Sequence, residues 1–174
     1  MKLTTLLERL TYTCLQGSLE REISRVDYDS RKVQEGSLFL CIRGAVCDGH
    51  SFAGEVAQKG AAVLVVEEPV QVPDSVTVIQ VEDTRYAMAV ISAAWFGYPA
   101  EQLKVIGITG TKGKTTTTYM AKSILENAGY RVGLIGTIEV IIGDKVIPAV
   151  NTTPESYLVQ QYFREMADAG LTCV

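Results

Sequence analysis

The chain has 174 residues, 47% of them hydrophobic, with 16 basic against 20 acidic side chains and a net charge of -4. That is enough apolar material for one ordinary domain or two small ones, and it excludes a disordered chain. The mild acidity comes without a run of like charge, so neither a nucleic acid nor an anionic membrane is expected as a partner.

Cys14, Cys41, Cys47 and Cys173 form no CxxC pair and His50 is the only histidine. This leaves no zinc-ligand spacing and points to reduced thiols in a cytoplasmic protein. The most apolar stretch, Ala87 to Phe96, is about half the length needed to span a bilayer. The first ten residues include Lys2, Glu8 and Arg9 and lack a signal-peptide core.

Leu3, Leu6, Leu7 and Leu10 fall at helical spacing and predict an amphipathic helix capped by Thr4 or Thr5, with Gly17 following in a polar turn. Ser37 to Ile42, Ala61 to Val66 and Ser75 to Val81 are short apolar runs behind Gly36, Gly60 and Pro73, and predict strands. Ser51 to Lys59 predicts a helix ending at Gly60, which makes a strand, helix, strand unit of a parallel sheet. Asp83 or Thr84 caps the next helix, through Ala87, Val90, Ile91, Ala94 and Trp95. The Gly97-Tyr98-Pro99 break marks an expected boundary between domains at 1–98 and 99–174.

The second segment restarts with a β-type run, Leu103 to Thr109, then a helix from Lys114 to Ala128 ending at Gly129. Arg131 to Gly136 predicts a strand, and Ile138 to Ile142 with Lys145 to Ile147 a hairpin around Gly143-Asp144. Asn151-Thr152-Thr153-Pro154 is expected to open a helix bearing Leu158, Tyr162 and Met166, and Leu171 to Val174 to start another buried strand. The fold class expected is α/β: a small N-terminal α/β domain followed by the first part of a parallel-sheet ATPase domain.

Between the 103–109 run and its helix lies Gly110-Thr111-Lys112-Gly113-Lys114-Thr115-Thr116. A turn in this position offers an anion several backbone N–H groups and the positive end of the helix dipole. Gly110 and Gly113 let the backbone approach phosphate oxygens, Lys114 supplies a point charge for the β- and γ-phosphates, and the Thr115 hydroxyl is a ligand for Mg²⁺. The full Walker pattern is not met, because Ile108 stands five residues before Gly113 where it requires glycine. A dinucleotide site is a poor fit, since Gly107, Gly110 and Gly113 are spaced by threes rather than as GxGxxG.

The loop resembles the GTxGKTT of the Mur ligase family, with Lys112 where many relatives carry asparagine. Asp29-Ser30-Arg31, Gly36-Ser37-Leu38-Phe39, Gly44 and Asp48-Gly49-His50 resemble the DSR, GxLF and DGH signature of that family's uridine-binding domain. Gly136-Thr137 and Asn151-Thr152-Thr153-Pro154 resemble the branch that extends UDP-MurNAc-L-Ala-D-Glu rather than the D-alanyl-D-alanine-adding branch.

The resemblance implies that Tyr28, Ser30 and Ala45-Val46-Cys47 hold the UDP end of the substrate and that Asn151, Thr152 and Thr153 contact its muramoyl side. It implies ATP at Gly110 to Thr116, with Lys114 and Thr115 catalytic and Mg²⁺ on Thr115. The implied reaction is ATP-dependent amide formation adding lysine or meso-diaminopimelate. The family's metal-binding glutamate, carbamylated lysine and amino-acid-selecting domain come later than Val174, so the chain alone is expected to be inactive. An open sheet edge makes self-association a possibility to test. The competing readings are a non-catalytic module binding UDP-sugar or nucleotide, and, for individual motifs, plain structure: a capped turn at Asp29-Ser30-Arg31, a ligand-free hydrogen-bonding His50, and a helix cap at Asn151 to Pro154.

Overall fold

Ser37–Leu40 and Val63–Val66 are buried at every position, which strands achieve when both faces of their sheet are covered. In the computed structural model, which describes residues 1–44 and 47–174, they form the middle of a five-stranded sheet. Its strands are β1 (Thr13–Gln16), β2 (Arg25–Asp27), β3 (Ser37–Leu40), β4 (Val63–Val66) and β5 (Thr77–Gln80), ordered β1-β5-β4-β3-β2. β2 to β5 run parallel, and β1 pairs antiparallel with β5 at one edge. The parallel-sheet α/β class expected from the sequence is the one that forms.

The helices of this unit among the described residues are α1 (Leu3–Leu6), α2 (Ala53–Gln58) and α3 (Thr84–Trp95). Phe39, Leu64, Val66 and Val78 cluster with Ala53 and Val56 of α2. Strand alternation sends Leu38, Leu40, Val63, Val65 and Ile79 to the other face, where α3 packs on β4 and α1 packs on α3. Each fully buried leucine or phenylalanine contributes about 1.5–3 kcal/mol.

The opening helix is shorter than its leucine spacing predicts, and its N-cap is Lys2, which makes no side-chain cap, rather than Thr4 or Thr5. Two strands go beyond the sequence reading. β1 is largely exposed and so lacks an apolar pattern. β2 has three residues, with its buried Asp27 accepting from the Ser37 hydroxyl at 2.9 Å.

By contacts the chain divides into two units, Met1–Trp95 and Phe96–Val174, just ahead of Gly97-Tyr98-Pro99. The second contains α4 (Lys114–Asn127), β6 (Leu134–Ile135), β7 (Glu139–Ile142), β8 (Lys145–Pro148) and α5 (Ser156–Asp168). β6, β7 and β8 form an antiparallel sheet with the expected turn at Gly143-Asp144. Leu103, Val140, Ile142, Phe163, Met166 and Leu171 make its core.

The runs 103–109 and 171–174 do not form full strands. Lys104 and Val132 each bridge in parallel to Cys173, and the Ile106 N–H donates to the Val174 carbonyl at 2.8 Å. Nor does Asn151-Thr152-Thr153-Pro154 cap α5, which starts at Ser156 behind Glu155. Pro154 disfavours helical backbone at Thr153, so the three residues lie in bends ahead of the helix. Among the described residues no helix is long and apolar enough to cross a membrane.

Candidate functional site

The loop 110–116 is held between the Ile106–Val174 hydrogen bond and the first turn of α4. Gly110 (φ 154°) and Gly113 (φ 78°) take positive φ values, a region in which a Cβ is strained. Gly113 occupies the N-cap position without a side-chain cap. The first intrahelical bond is Thr117 N–H to the Gly113 carbonyl, 2.9 Å, so the N–H groups of Lys114, Thr115 and Thr116 have no helical acceptor. They point out of the positive end of a 14-residue helix.

The Lys114 Nζ folds across this turn and donates to the Gly110 carbonyl at 2.6 Å. Residues 110–113 are exposed, and Lys114 and Thr115 half-buried. That exposure leaves the turn open to an anion.

Beside the loop lies a cavity of ≈ 430 Å³ lined by Thr111 to Thr116 together with Thr137 and Thr152. The second unit thus brings one residue expected to touch the muramoyl group, Thr152, to the loop expected to hold phosphate. Thr153 lines a neighbouring cavity, and Asn151 is exposed next to them. In the sequence Thr137 stands out only as part of the Gly136-Thr137 motif; its place in this cavity comes from the turn after β6, which no local pattern announces. The cavity supplies hydroxyls, backbone N–H groups and two ammonium groups, a set suited to a polyphosphate and, through the Thr115 hydroxyl, to an oxygen-seeking cation.

In the first unit, β2 and β3 are parallel neighbours, so the segments leaving their carboxyl ends share one edge of the sheet. Tyr28 and Ser30 follow β2 and are half-buried; Cys47 follows β3 and is exposed. The Ser30 carbonyl accepts from Lys59 Nζ at 2.9 Å, and the Cys47 carbonyl from the Gly44 N–H at 2.9 Å. Ala45 and Val46, also expected here, lie outside the described residues.

Asp29 accepts from the Arg31 N–H and, with both carboxylate oxygens, from the Arg31 guanidinium at 2.8 Å. The Arg31 guanidinium holds the Asp29 carboxyl down at about 2. The capped turn anticipated for this motif is present.

Asp48-Gly49-His50 has a structural part at each position. Asp48 caps the short 3-10 turn Gly49–Phe52 by accepting from the His50 N–H. Gly49 donates to the Ile42 carbonyl at 2.9 Å, and a Cβ there would sit 2.6 Å from the Ile42 nitrogen. His50 is buried, with Nδ1 against Asp48 at 2.6 Å and Nε2 accepting from the Glu67 N–H at 2.9 Å. It therefore joins the loop after β3 to the end of β4 through hydrogen bonds at both ring nitrogens. Arg43 adds ion pairs to Asp48, Glu67 and Glu68. Hydrogen bonds from the His50 backbone, then its ring, keep the Asp48 pKa below the usual carboxylate value.

The model of the Mur ligase family catalytic domain matches residues 22–104, and that of the Mur ligase middle domain residues 108–174. The chain is 48% identical over 171 residues to the UDP-N-acetylmuramoyl-L-alanyl-D-glutamate--2,6-diaminopimelate ligase of Clostridium perfringens, covering 98% of this chain and 35% of that protein. It therefore spans only about a third of the length of the curated relatives it matches. A solved UDP-N-acetylmuramoyl-L-alanyl-D-glutamate--2,6-diaminopimelate ligase shares its fold, with TM-score 0.77, 20% identity, and coverage of 99% of this chain and 34% of that one. The MurF ligase of Thermotoga maritima, solved in complex with ADP, is similar at TM-score 0.53 and 26% identity over 80% of this chain and 28% of its own. Two models of one family, met in chain order on either side of residue 105 and on units whose loops carry that family's motifs, leave a single assignment: the chain belongs to the Mur ligase family.

Proposed function

We propose that this chain supplies the nucleotide-binding and uridine-binding parts of a ligase that adds diaminopimelate to UDP-MurNAc-L-Ala-D-Glu, with ATP and Mg²⁺. The observation that carries the reading is the cavity in which the loop 111–116 and Thr152 meet. In such a reaction ATP phosphorylates the D-glutamate carboxylate, and the amine of the incoming amino acid then displaces phosphate to form the amide. A catalyst of phosphoryl transfer needs mainly to position the reactants and neutralise charge, which is what N–H groups and an ammonium at a helix start provide.

Within that reaction Lys114 exchanges its bond to the Gly110 carbonyl for the terminal phosphates, and the first-turn N–H groups of α4 bind phosphate oxygens. Thr115 would hold Mg²⁺, which would supply positive charge to offset that of the phosphates. Lys112 adds a second cation at the loop. Thr152, with Asn151 and Thr153, orients the muramoyl-peptide toward the phosphate. Tyr28, Ser30 and the 45–47 loop hold the uridine end with short polar and backbone groups, where directed hydrogen bonds matter more than charge. Diaminopimelate is preferred to lysine because the Clostridium perfringens relative carries it in its name. The compartment proposed is the cytoplasm, in keeping with buried free thiols at Cys41 and Cys173.

Titration calorimetry with ATP and Mg²⁺ tests the central assignment. Loss of one charge-assisted contact removes about 1.5–3 kcal/mol, so Lys114→Ala binds roughly 10- to 100-fold more weakly than the parent chain. Equal affinity in the two proteins refutes the assignment of the loop.

A further inference from the structure

The cavity beside the loop 110–116 has two walls within the second unit. One is the loop with the first turn of α4, through Thr111 to Thr116, and the other includes Thr137. Thr137 and Ile138 are the bends between β6 and β7. The Gly136 N–H closes this turn by donating to the Glu139 carbonyl at 3.0 Å. The Glu139 side chain, in turn, accepts from the Tyr119 hydroxyl of α4 at 2.6 Å through Oε1.

This bond joins elements that little else holds together. α4 packs on β6, but it has no fully buried residue. Among the described residues, the other side-chain hydrogen bonds that α4 donates are local. Thr118 donates to the Lys114 carbonyl, Lys122 to Glu126, Asn127 to the Ser123 carbonyl, and Lys114 to the Gly110 carbonyl. Tyr119 and Glu139 are both half-buried, where a hydrogen bond is less exposed to competing water than at the open surface. The same bond, with burial and the Glu139 charge added, keeps the Tyr119 pKa above its ordinary value, so the phenol stays the donor. Thr115 and Tyr119 lie four residues apart, on one face of α4 and about 6 Å along its axis. A shift of the helix at Tyr119 is therefore carried to Thr115 and the loop.

We propose that Tyr119 and Glu139 are positioning residues for this cavity: their hydrogen bond ties the helix that begins at the loop to the turn that carries Thr137, and so holds the two walls at one spacing. The proposal rests on the reading of the loop as the ATP site. Neither residue lines the cavity, so both act through Thr115 and Thr137 rather than on the nucleotide.

The test is titration calorimetry with ADP and Mg²⁺ on Tyr119→Phe, Glu139→Ala, their double variant and Glu139→Gln. Each of the first two is expected to lower affinity roughly 3- to 10-fold. The double variant should bind no more weakly than the worse single one, since one shared bond is lost only once. Glu139→Gln keeps an acceptor oxygen and should stay within about twofold of the parent. Amide exchange separates positioning from general loosening. In Tyr119→Phe it should quicken about fivefold or more at Thr117, which bonds to the Gly113 carbonyl, and at Gly136, and stay unchanged at Phe163 and Met166 of α5. Parent-like ADP affinity in Tyr119→Phe, or losses that add in the double variant, overturns the proposal. Equal quickening at all four amides overturns it too, because the pair then serves only overall stability. If ADP binding is absent, or indifferent to Lys114→Ala, the ATP-site reading fails and the nucleotide role with it, while the exchange comparison still decides whether the pair holds the two walls.

Discussion

Glu67 connects the end of β4 to the start of α3, and replacing it separates a buried cap from a surface ion pair. Its Oε1 accepts from the Thr84 N–H at 3.0 Å and from the Thr84 hydroxyl at 2.7 Å, and Thr84 is fully buried. Hydrogen bonds to a charged acceptor contribute about 1.5–3 kcal/mol, and an orphaned buried hydroxyl costs about 1–3 kcal/mol. Two bonds share one oxygen, the Glu67 side chain is 22% exposed, and Asp83 still accepts from the Arg85 and Tyr86 N–H groups. The loss for Glu67→Ala is therefore about 2–3 kcal/mol, well below the simple sum. Glu67→Gln, which keeps an acceptor oxygen, costs about 1 kcal/mol. Arg43 is 49% exposed and 3.7 Å from Glu67, so Arg43→Ala costs less than about 1 kcal/mol.

Urea unfolding followed by the fluorescence of Trp95, the only tryptophan and the last residue of α3, reads all three variants. A change below about 0.5 kcal/mol for Glu67→Ala refutes the cap, since that is the scatter of neutral surface substitutions. An Arg43→Ala variant as damaged as Glu67→Ala instead assigns the stabilisation to the ion pair. Acid provides an independent check. Burial works against the Glu67 carboxylate, but the Thr84 bonds and Arg43 outweigh it and keep its pKa below the ordinary value. Its contribution is complete above the ordinary glutamate range and is lost as pH falls through the depressed folded value.

Gly49→Ala drives a Cβ against backbone atoms of Cys41 and Ile42 at 2.6–2.9 Å, and the expected loss is about 1–3 kcal/mol in the same urea experiment; wild-type stability refutes the close approach. Cys14 and Cys47 are exposed and Cys41 and Cys173 buried, with burial, aided by Asp48, pushing the Cys41 thiol up to about 12. A thiol reagent should modify the first pair in the native protein and the second only on unfolding, and fast native reaction at Cys41 contradicts this burial. The Asp29 carboxyl, held at about 2 by Arg31, stabilises the fold above its ordinary 3.8 and loses that contribution as pH falls toward about 2. Carboxyl NMR titration reads the midpoint directly. Arg31→Ala should return it to the ordinary range, and an ordinary midpoint in the parent protein rules out the pairing.

The sequence by itself determined the elements whose signals are local. Continuous apolar runs at 37–40 and 63–66 require burial on both faces and so a covered parallel sheet. The Gly110 to Thr116 turn ahead of a helix, and the hairpin at Gly143-Asp144, are set by backbone preferences of a few adjacent residues. The same locality made the glycine-rich turn ahead of α4 legible.

Tertiary structure alone decided what depends on partners far along the chain. β1 and β2 carry too little apolar pattern to be read, and exist because β5 and β3 offer them an edge. The run at 103–109 has a strand's composition but realises its pairing at Lys104 and Ile106, where residues 172–174 supply partners. Thr137 and Thr152 come to the loop only because β6 and the bends before α5 end beside it. His50 connects the loop after β3 to the end of β4 because Glu67, seventeen residues on, presents its N–H to the ring.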